Sequence, residues 1–471
     1  MSHCLNLCRA NDLVIAGVRA VSLSFSLAVF LVVLLPAQDP ATRKEGLLRA
    51  AESPKNAVVL QSPALNSGPL RLIDISLDIL AAAGSSTAHD SVLGNLQGGG
   101  HDPRKRGFTL QQTELKLSGA VDSWCNAEAS LVASIDPESG ETVVELEEAF
   151  GTTQSLPEGL QVKAGMYLTE FGRINQTHPH AWDWMDQPLI NTRVFGPDGM
   201  RAPGARVSWL LPTYNYTELI AGVQNANGET MSSFLANEEF YAERPIGGRP
   251  FIDSEVQSMG DLAWSARLST SFDFNETSTV LLGTSVVFGP NASGEGAATT
   301  IYGADFTYKW KPLANTRGWP FVKVQSEFVV RDFDASTSLD VDQTTLIPSD
   351  TLNDYGGYLQ CLCGFSLGWD LGLRGEWVTG SGQNYQLGQV AVPSGSPAVP
   401  GSFVSRETDF FRGNRIRISP LLQYHPSEFS RLRLQYNFDN VANELEGVGD
   451  NVHSVWIGVE FLIGVHPPHK F

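Results

Sequence analysis

The stretch from Asn175 to Pro188 gathers the side chains of this chain best suited to chemistry: His178, His180, Trp182, Asp183, Trp184 and Asp186. Imidazole and carboxylate both suit zinc. Two histidines flanking Pro179 are not a specific zinc pattern, however, and no third and fourth ligand can be named. No bound metal and no cofactor is expected. His466 and His469 are equally unspecific, and Cys361 and Cys363 have the spacing of a ligand pair but read better as packing residues. His425 and Ser427 fall in a short turn with no third partner. With no phosphate-binding loop, H-E-x-x-H or G-x-S-x-G pattern, no catalytic residue is assigned and the chain is not read as an enzyme.

Composition narrows the class. The 471 residues carry 51 acidic and 32 basic side chains, a net charge of -19, with 42% hydrophobic and only 18% charged residues. The apolar fraction excludes a disordered chain. The acidic balance argues against nucleic acid as a partner, because phosphates would be repelled. Five cysteines are too few for a disulfide scaffold. Arg9 and Arg19 precede an apolar run from Val21 to Leu35 that closes with Pro36 and Ala37, so residues 1–37 read as a secretory signal peptide. An uncleaved anchor is the alternative. Residues 38–68 are polar and aperiodic, a periplasmic linker.

From residue 69 to 471 the governing signal has period two. Asp74, Ser76 and Asp78 alternate with Ile73, Ile75, Leu77 and Ile79; Arg431, Arg433 and Gln435 alternate with Leu432, Leu434 and Tyr436. Successive strand side chains point to opposite faces, so each segment has one apolar and one polar face. Roughly sixteen such strands of about 9 to 14 residues are expected, a length suited to a tilted membrane crossing. They start near positions 70, 107, 124, 142, 160, 204, 215, 260, 277, 298, 320, 355, 369, 412, 430 and 452. Long connections (83–106, 171–203, 227–259, 334–354, 381–411) follow odd strands, and short ones mostly follow even strands. Such alternation belongs to a barrel with one looped rim and one rim of tight turns. Trp264, Phe274, Tyr302, Trp369 and Trp377 at strand ends suit interfacial girdles. The fold class is therefore all-β, a transmembrane antiparallel barrel.

Strand parity then assigns the lumen. Arg374, Arg415, Arg417, Arg431 and Arg433 form a cationic sector on three neighbouring late strands. Asp74, Asp78, Glu114, Glu128, Glu145, Glu147 and Glu460 form an acidic one. Separate sectors would set a transverse field that favours hydrophilic, dipolar solutes; the alternative is charges that only solvate a channel or pair across strands. Cys125, Cys361 and Cys363 share the apolar parity and are expected to face lipid.

With an exported chain, some sixteen alternating strands and a terminal Phe471, residues 70–471 resemble a bacterial outer-membrane porin. The Asn175–Pro188 segment is similar to one in a porin-like group labelled zinc-regulated, TonB-dependent outer-membrane receptors. This chain departs from true TonB-dependent receptors in lacking a plug domain of about a hundred residues before the barrel and in falling short of 22 strands. The resemblance implies that the 171–203 connection folds inward, with His178, His180, Trp182, Asp183, Trp184 and Asp186 at a constriction; an external loop packed on its neighbours is the competing reading. It also implies a homotrimer in outer-membrane lipid.

The expected function is a passive diffusion channel for small hydrophilic solutes or ions in the bacterial outer membrane, filtered by lumen charges and the inward loop. The alternative is a substrate-specific receptor for metal-linked uptake. A third reading is a secreted, soluble all-β binding protein or polysaccharide enzyme.

Overall fold

The computed structural model describes residues 73–136, 139–339, 345–386, 399–406, 409, 411–441 and 450–464. The expected signal peptide and linker, with His466, His469 and Phe471, lie outside the described residues.

Sixteen strands close into one antiparallel barrel. They are β1 (Asp74–Ser86), β2 (Gly107–Ala120), β3 (Cys125–Ile135), β4 (Thr142–Thr153), β5 (Leu160–Leu168), β6 (Arg201–Leu210), β7 (Thr217–Asn225) and β8 (Leu262–Asn275). The second half comprises β9 (Ser278–Pro290), β10 (Ala298–Trp310), β11 (Phe321–Ala335), β12 (Asp350–Ser366), β13 (Trp369–Ser381), β14 (Arg415–Ser427), β15 (Ser430–Val441) and β16 (Asn451–Gly464). Each pairs with its chain neighbours, and β1 closes the ring against β16 with Leu80 opposite Glu460. Closure satisfies every strand edge, which lipid cannot do.

Most expected strand starts fall within three residues of the observed ones. β12 begins earlier, at Asp350, because Asp350–Asn353, with Leu352 their one apolar residue, extend the ladder with β11 without an alternation to announce it. Long connections 87–106, 169–200, 226–261 and 382–414 leave one rim, and the opposite rim carries turns as short as 276–277 and 367–368.

The outer face is apolar: Ile75, Leu371, Leu373, Ile457 and Ile463 are each more than half exposed. Trp124, Trp209, Phe274 and Trp369 ring the turn side, and Phe108, Phe288, Tyr302 and Trp377 the loop side. In water such a belt would be a severe liability; against acyl chains it is matched. A closed barrel of even strand number with this belt is the architecture of bacterial outer-membrane proteins, and the chain is placed in that membrane.

Inside, the expectation of a lumen lined only by polar faces needs correction. Phe171, Leu189, Ile190, Val194 and Phe195 from the 169–200 connection, with Met231, Phe234 and Leu235 from 226–261, form a buried core. They pack on Ala263, Val287, Ile301, Val329 and Val378, inward-facing residues near the loop-side ends of β8, β9, β10, β11 and β13. Apolar side chains there have the inserted connections, not water, as their neighbours.

Candidate channel constriction

The 169–200 connection leaves β5 and returns to β6 through a closed neck. Thr169 N–H donates to the Met200 carbonyl (2.8 Å). The Asn175 side chain donates to the Thr169 carbonyl and accepts from Met200 N–H, both at 2.8 Å. Between these points the chain reaches from β2 and β4 to β13, β14 and β15. It carries a 3-10 turn at Pro179–Ala181 and one short α-helix, α2 (Leu189–Phe195); α1 (Asp90–Leu96) lies in the 87–106 connection.

One anchorage lies on β2 and β4. His178 Nδ1 is 2.7 Å from Glu147 and Nε2 is 2.8 Å from Glu148. His180 Nδ1 is 2.7 Å from Glu114, and the two imidazoles stack with centroids 5.7 Å apart. His101, from the 87–106 connection, brings Nε2 to 3.3 Å from Glu147. Burial alone would depress the His178 pKa, but Glu114, Glu147 and Glu148 outweigh it and raise it well above the usual histidine range.

Glu148 was invisible to period-two reading, which sends it outward. A bulge at Ser130/Leu131 sets Ser130 opposite Glu148 and Leu131 opposite Leu146, so Glu147 is the extra residue. Both glutamates are thereby buried toward the lumen. The consecutive acidic pair inside an alternating strand was the available signal.

The other anchorage lies on β13, β14 and β15. Asp186 is ion-paired with Arg374 and, at 3.0 Å, with Arg417. It also accepts from Gln435 (2.8 Å) and Asn437 (2.7 Å). Burial would raise the Asp186 pKa, but the two guanidinium groups and these amides bring it down to about 2. Trp184 Nε1–H donates to the Ser419 carbonyl at 2.9 Å, and Met185 N–H to Gln435 at 2.8 Å. The wall is shaped to receive this tip. A Cβ on Gly372 would lie 2.9 Å from the Trp184 ring, and one on Gly458 2.6 Å from the Met185 methyl.

The remaining predicted charges are mostly neutralised. Arg431 and Arg433 pair with Glu460 on the adjacent strand, and Arg431 also donates to the His180 and Trp182 carbonyls. Arg415 and Arg417 share Asp439 at 2.8 Å, and Glu145 pairs with Arg201 at 2.7 Å. Lys116 and Glu128 pair at 2.9 Å. Asp74 and Asp78 belong to the inner face of β1, Asp78 opposite Glu114. The carboxylate sector of β2 and β4 and the arginine sector of β13 to β15 therefore face the crossing loop, and several of their charges pair across strands. Closure sets β1 against β16, which itself pairs with β15, and the loop delivers Asp186 into the arginines. Asp439 and Glu376, also missed, share the lumen parity of Arg417 and Arg374 and could have been found by that rule.

Below the loop, toward the turn side, a cavity of about 380 Å³ remains, walled among others by Arg173, His180, Asp183, Lys309, Lys323 and Arg431. Asp183 is tied to Lys323 at 2.8 Å. Cys125, Cys361 and Cys363 are free thiols, Cys361 exposed on the outer face.

No known protein-family profile matches the chain. A protein of Aquifex aeolicus (strain VF5), described only as uncharacterised, is 28% identical over 389 residues, 79% of this chain and 73% of that one. Among solved structures, the outer-membrane channel DcaP of Acinetobacter baumannii has TM-score 0.48 and 9% identity, covering 83% of this chain and 97% of its own. The anion-selective porin of Comamonas acidovorans gives 0.45 and 11%, over 83% and 98%. OprB of Pseudomonas putida gives 0.46 and 10%, over 83% and 94%. None of these proteins bears the zinc-regulated receptor label, and identities this low transfer no residue roles.

Proposed function

We propose that the chain is an outer-membrane channel of the porin type, passing small hydrophilic solutes or ions without covalent chemistry. The observation that carries this reading is the 169–200 loop, seated across a closed barrel and fastened to opposite walls by His178 and Asp186. Charged groups facing the residual cavity filter permeants by size and sign, because a low-dielectric wall magnifies each charge. Lys309, Lys323, Arg173 and Arg431 outnumber Asp183, Glu428 and Glu460 there, which supports a preference opposite to that of the overall net charge. Assembly as a homotrimer in outer-membrane lipid belongs to the same proposal and is read by the molar mass of the detergent complex.

The test is single-channel conductance of refolded protein in a planar bilayer under a salt gradient. Ohmic steps with an anion-side reversal potential support the reading; silence from a folded, heat-modifiable barrel sinks it. The dense packing of the inserted loops favours a second reading, a substrate-specific receptor for metal-linked uptake, which predicts silence until its substrate is supplied.

A further inference from the structure

The anchorage on β2 and β4 has the donor arrangement of a metal site. Glu114, Glu147 and His178 each offer a ligand atom, all within 4.8 Å of one another, and all three residues are at least nine-tenths buried. His178 Nδ1 faces two carboxylates, 2.7 Å from Glu147 and 3.7 Å from Glu114. Ligands in a tetrahedral shell with bonds of ~2.1 Å lie about 3.5 Å apart, between these two distances.

Two further observations point to a ligand. Glu114 Oε1 is buried with no hydrogen-bond partner among the described residues, although it is directed at His178, while its Oε2 is engaged by His180. Buried carboxylate oxygens left unpaired are costly. In addition, the far nitrogen of His178 is already held. Nε2 lies 2.8 Å from Glu148, and Glu148 is itself fixed by the Leu168 N–H at 2.9 Å. A carboxylate behind the imidazole, fixing tautomer and ring orientation, is the usual support of a metal-bound histidine. Glu147 has the equivalent support from His101 at 3.3 Å and Arg201 at 3.7 Å.

We propose that Glu114, Glu147 and His178 bind one divalent first-row transition ion, with Zn²⁺ the fitting probe, while His180 holds the second Glu114 oxygen. Mixed imidazole and carboxylate donors suit such an ion better than Mg²⁺ or Ca²⁺, which take oxygen alone. The three described cysteines belong to other parts of the barrel and contribute no sulfur. The ion would join β2, β4 and the crossing loop, so the site fastens the constriction whether or not the barrel conducts; the inference stands apart from the channel reading.

The test uses the detergent-purified full-length chain, stripped with chelator and titrated calorimetrically with Zn²⁺. One saturable equivalent is expected. Glu114→Gln should abolish it, Glu148→Ala should weaken it about 10–100-fold, and His453→Gln, a loop-rim control, should leave it intact. X-ray absorption of the Zn²⁺-loaded wild type should show a nitrogen and oxygen shell with imidazole scattering and no sulfur. That measurement decides the matter if either variant fails to fold. No saturable equivalent, an equivalent unchanged in both site variants, one lost in His453→Gln, or a shell without imidazole would overturn the proposal and leave a cluster balanced by protons alone.

Discussion

The two anchorages of the crossing loop differ in kind. At Asp186 one carboxylate meets two guanidinium groups and two amides, so both of its oxygens are engaged. At His178 the proportions reverse: three carboxylates converge on one imidazole, with His180 and His101 at the margins. Arginine stays charged at any accessible pH, so the first anchorage is a fixed joint. The second contains groups able to exchange a proton or a cation. The crossing is thus pinned rigidly at its tip and adjustably at its root.

The largest expected effect comes from breaking the fixed joint. Asp186→Ala leaves Arg374 with Glu376 and Arg417 with Asp439 but strips both of their shared carboxylate, and should cost about 3 kcal/mol of barrel stability in urea titrations. If the loss is no larger than that of a surface substitution, the tip is not the rigid end. Next, Gly458→Leu fills the socket of the Met185 methyl. Overpacking there should cost about 1–3 kcal/mol and raise open-channel noise, without touching any charge at either anchorage.

Acid separates the joints without mutation. Because the Asp186 pKa is lowered to about 2, its contribution is complete above the ordinary carboxylate value of 3.8 and fades as pH falls toward 2. Stability measured from pH 5 to pH 2 should therefore drop in wild type and change less in Asp186→Asn, which has already lost that charge. Equal slopes would contradict the assignment. The smallest effect is expected at Lys323→Met. Its pair with Asp183 is partly solvated and worth under about 1 kcal/mol, yet its removal should move the reversal potential toward cations.

The strand plan was legible because burial in lipid on one face and protein or water on the other imposes period two wherever a strand crosses the membrane. The same rule gave the wrong face for Glu148, since a bulge changes parity locally without altering composition. It was also silent on Phe171, Leu189 and Phe195, whose apolar character has no periodicity inside an irregular connection. The inward course of the 169–200 loop came from resemblance alone. The partners that seat it, such as Asp186 with Arg417 or Trp184 with Ser419, are separated by more than two hundred residues. Such pairings follow from barrel closure, and no local pattern encodes them. The arginine sector was found residue by residue, but its meaning changed from a bare lining to the receiving side of a joint.

The crossing loop is proposed to govern passage through the barrel. The most direct measurement compares single-channel conductance of wild type with a variant in which residues 176–187 are replaced by a Gly-Ser linker, both confirmed as folded by heat-modifiable mobility. Small, discrete steps are expected in wild type and steps several-fold larger in the variant. Equal conductance from two folded barrels would contradict the proposal.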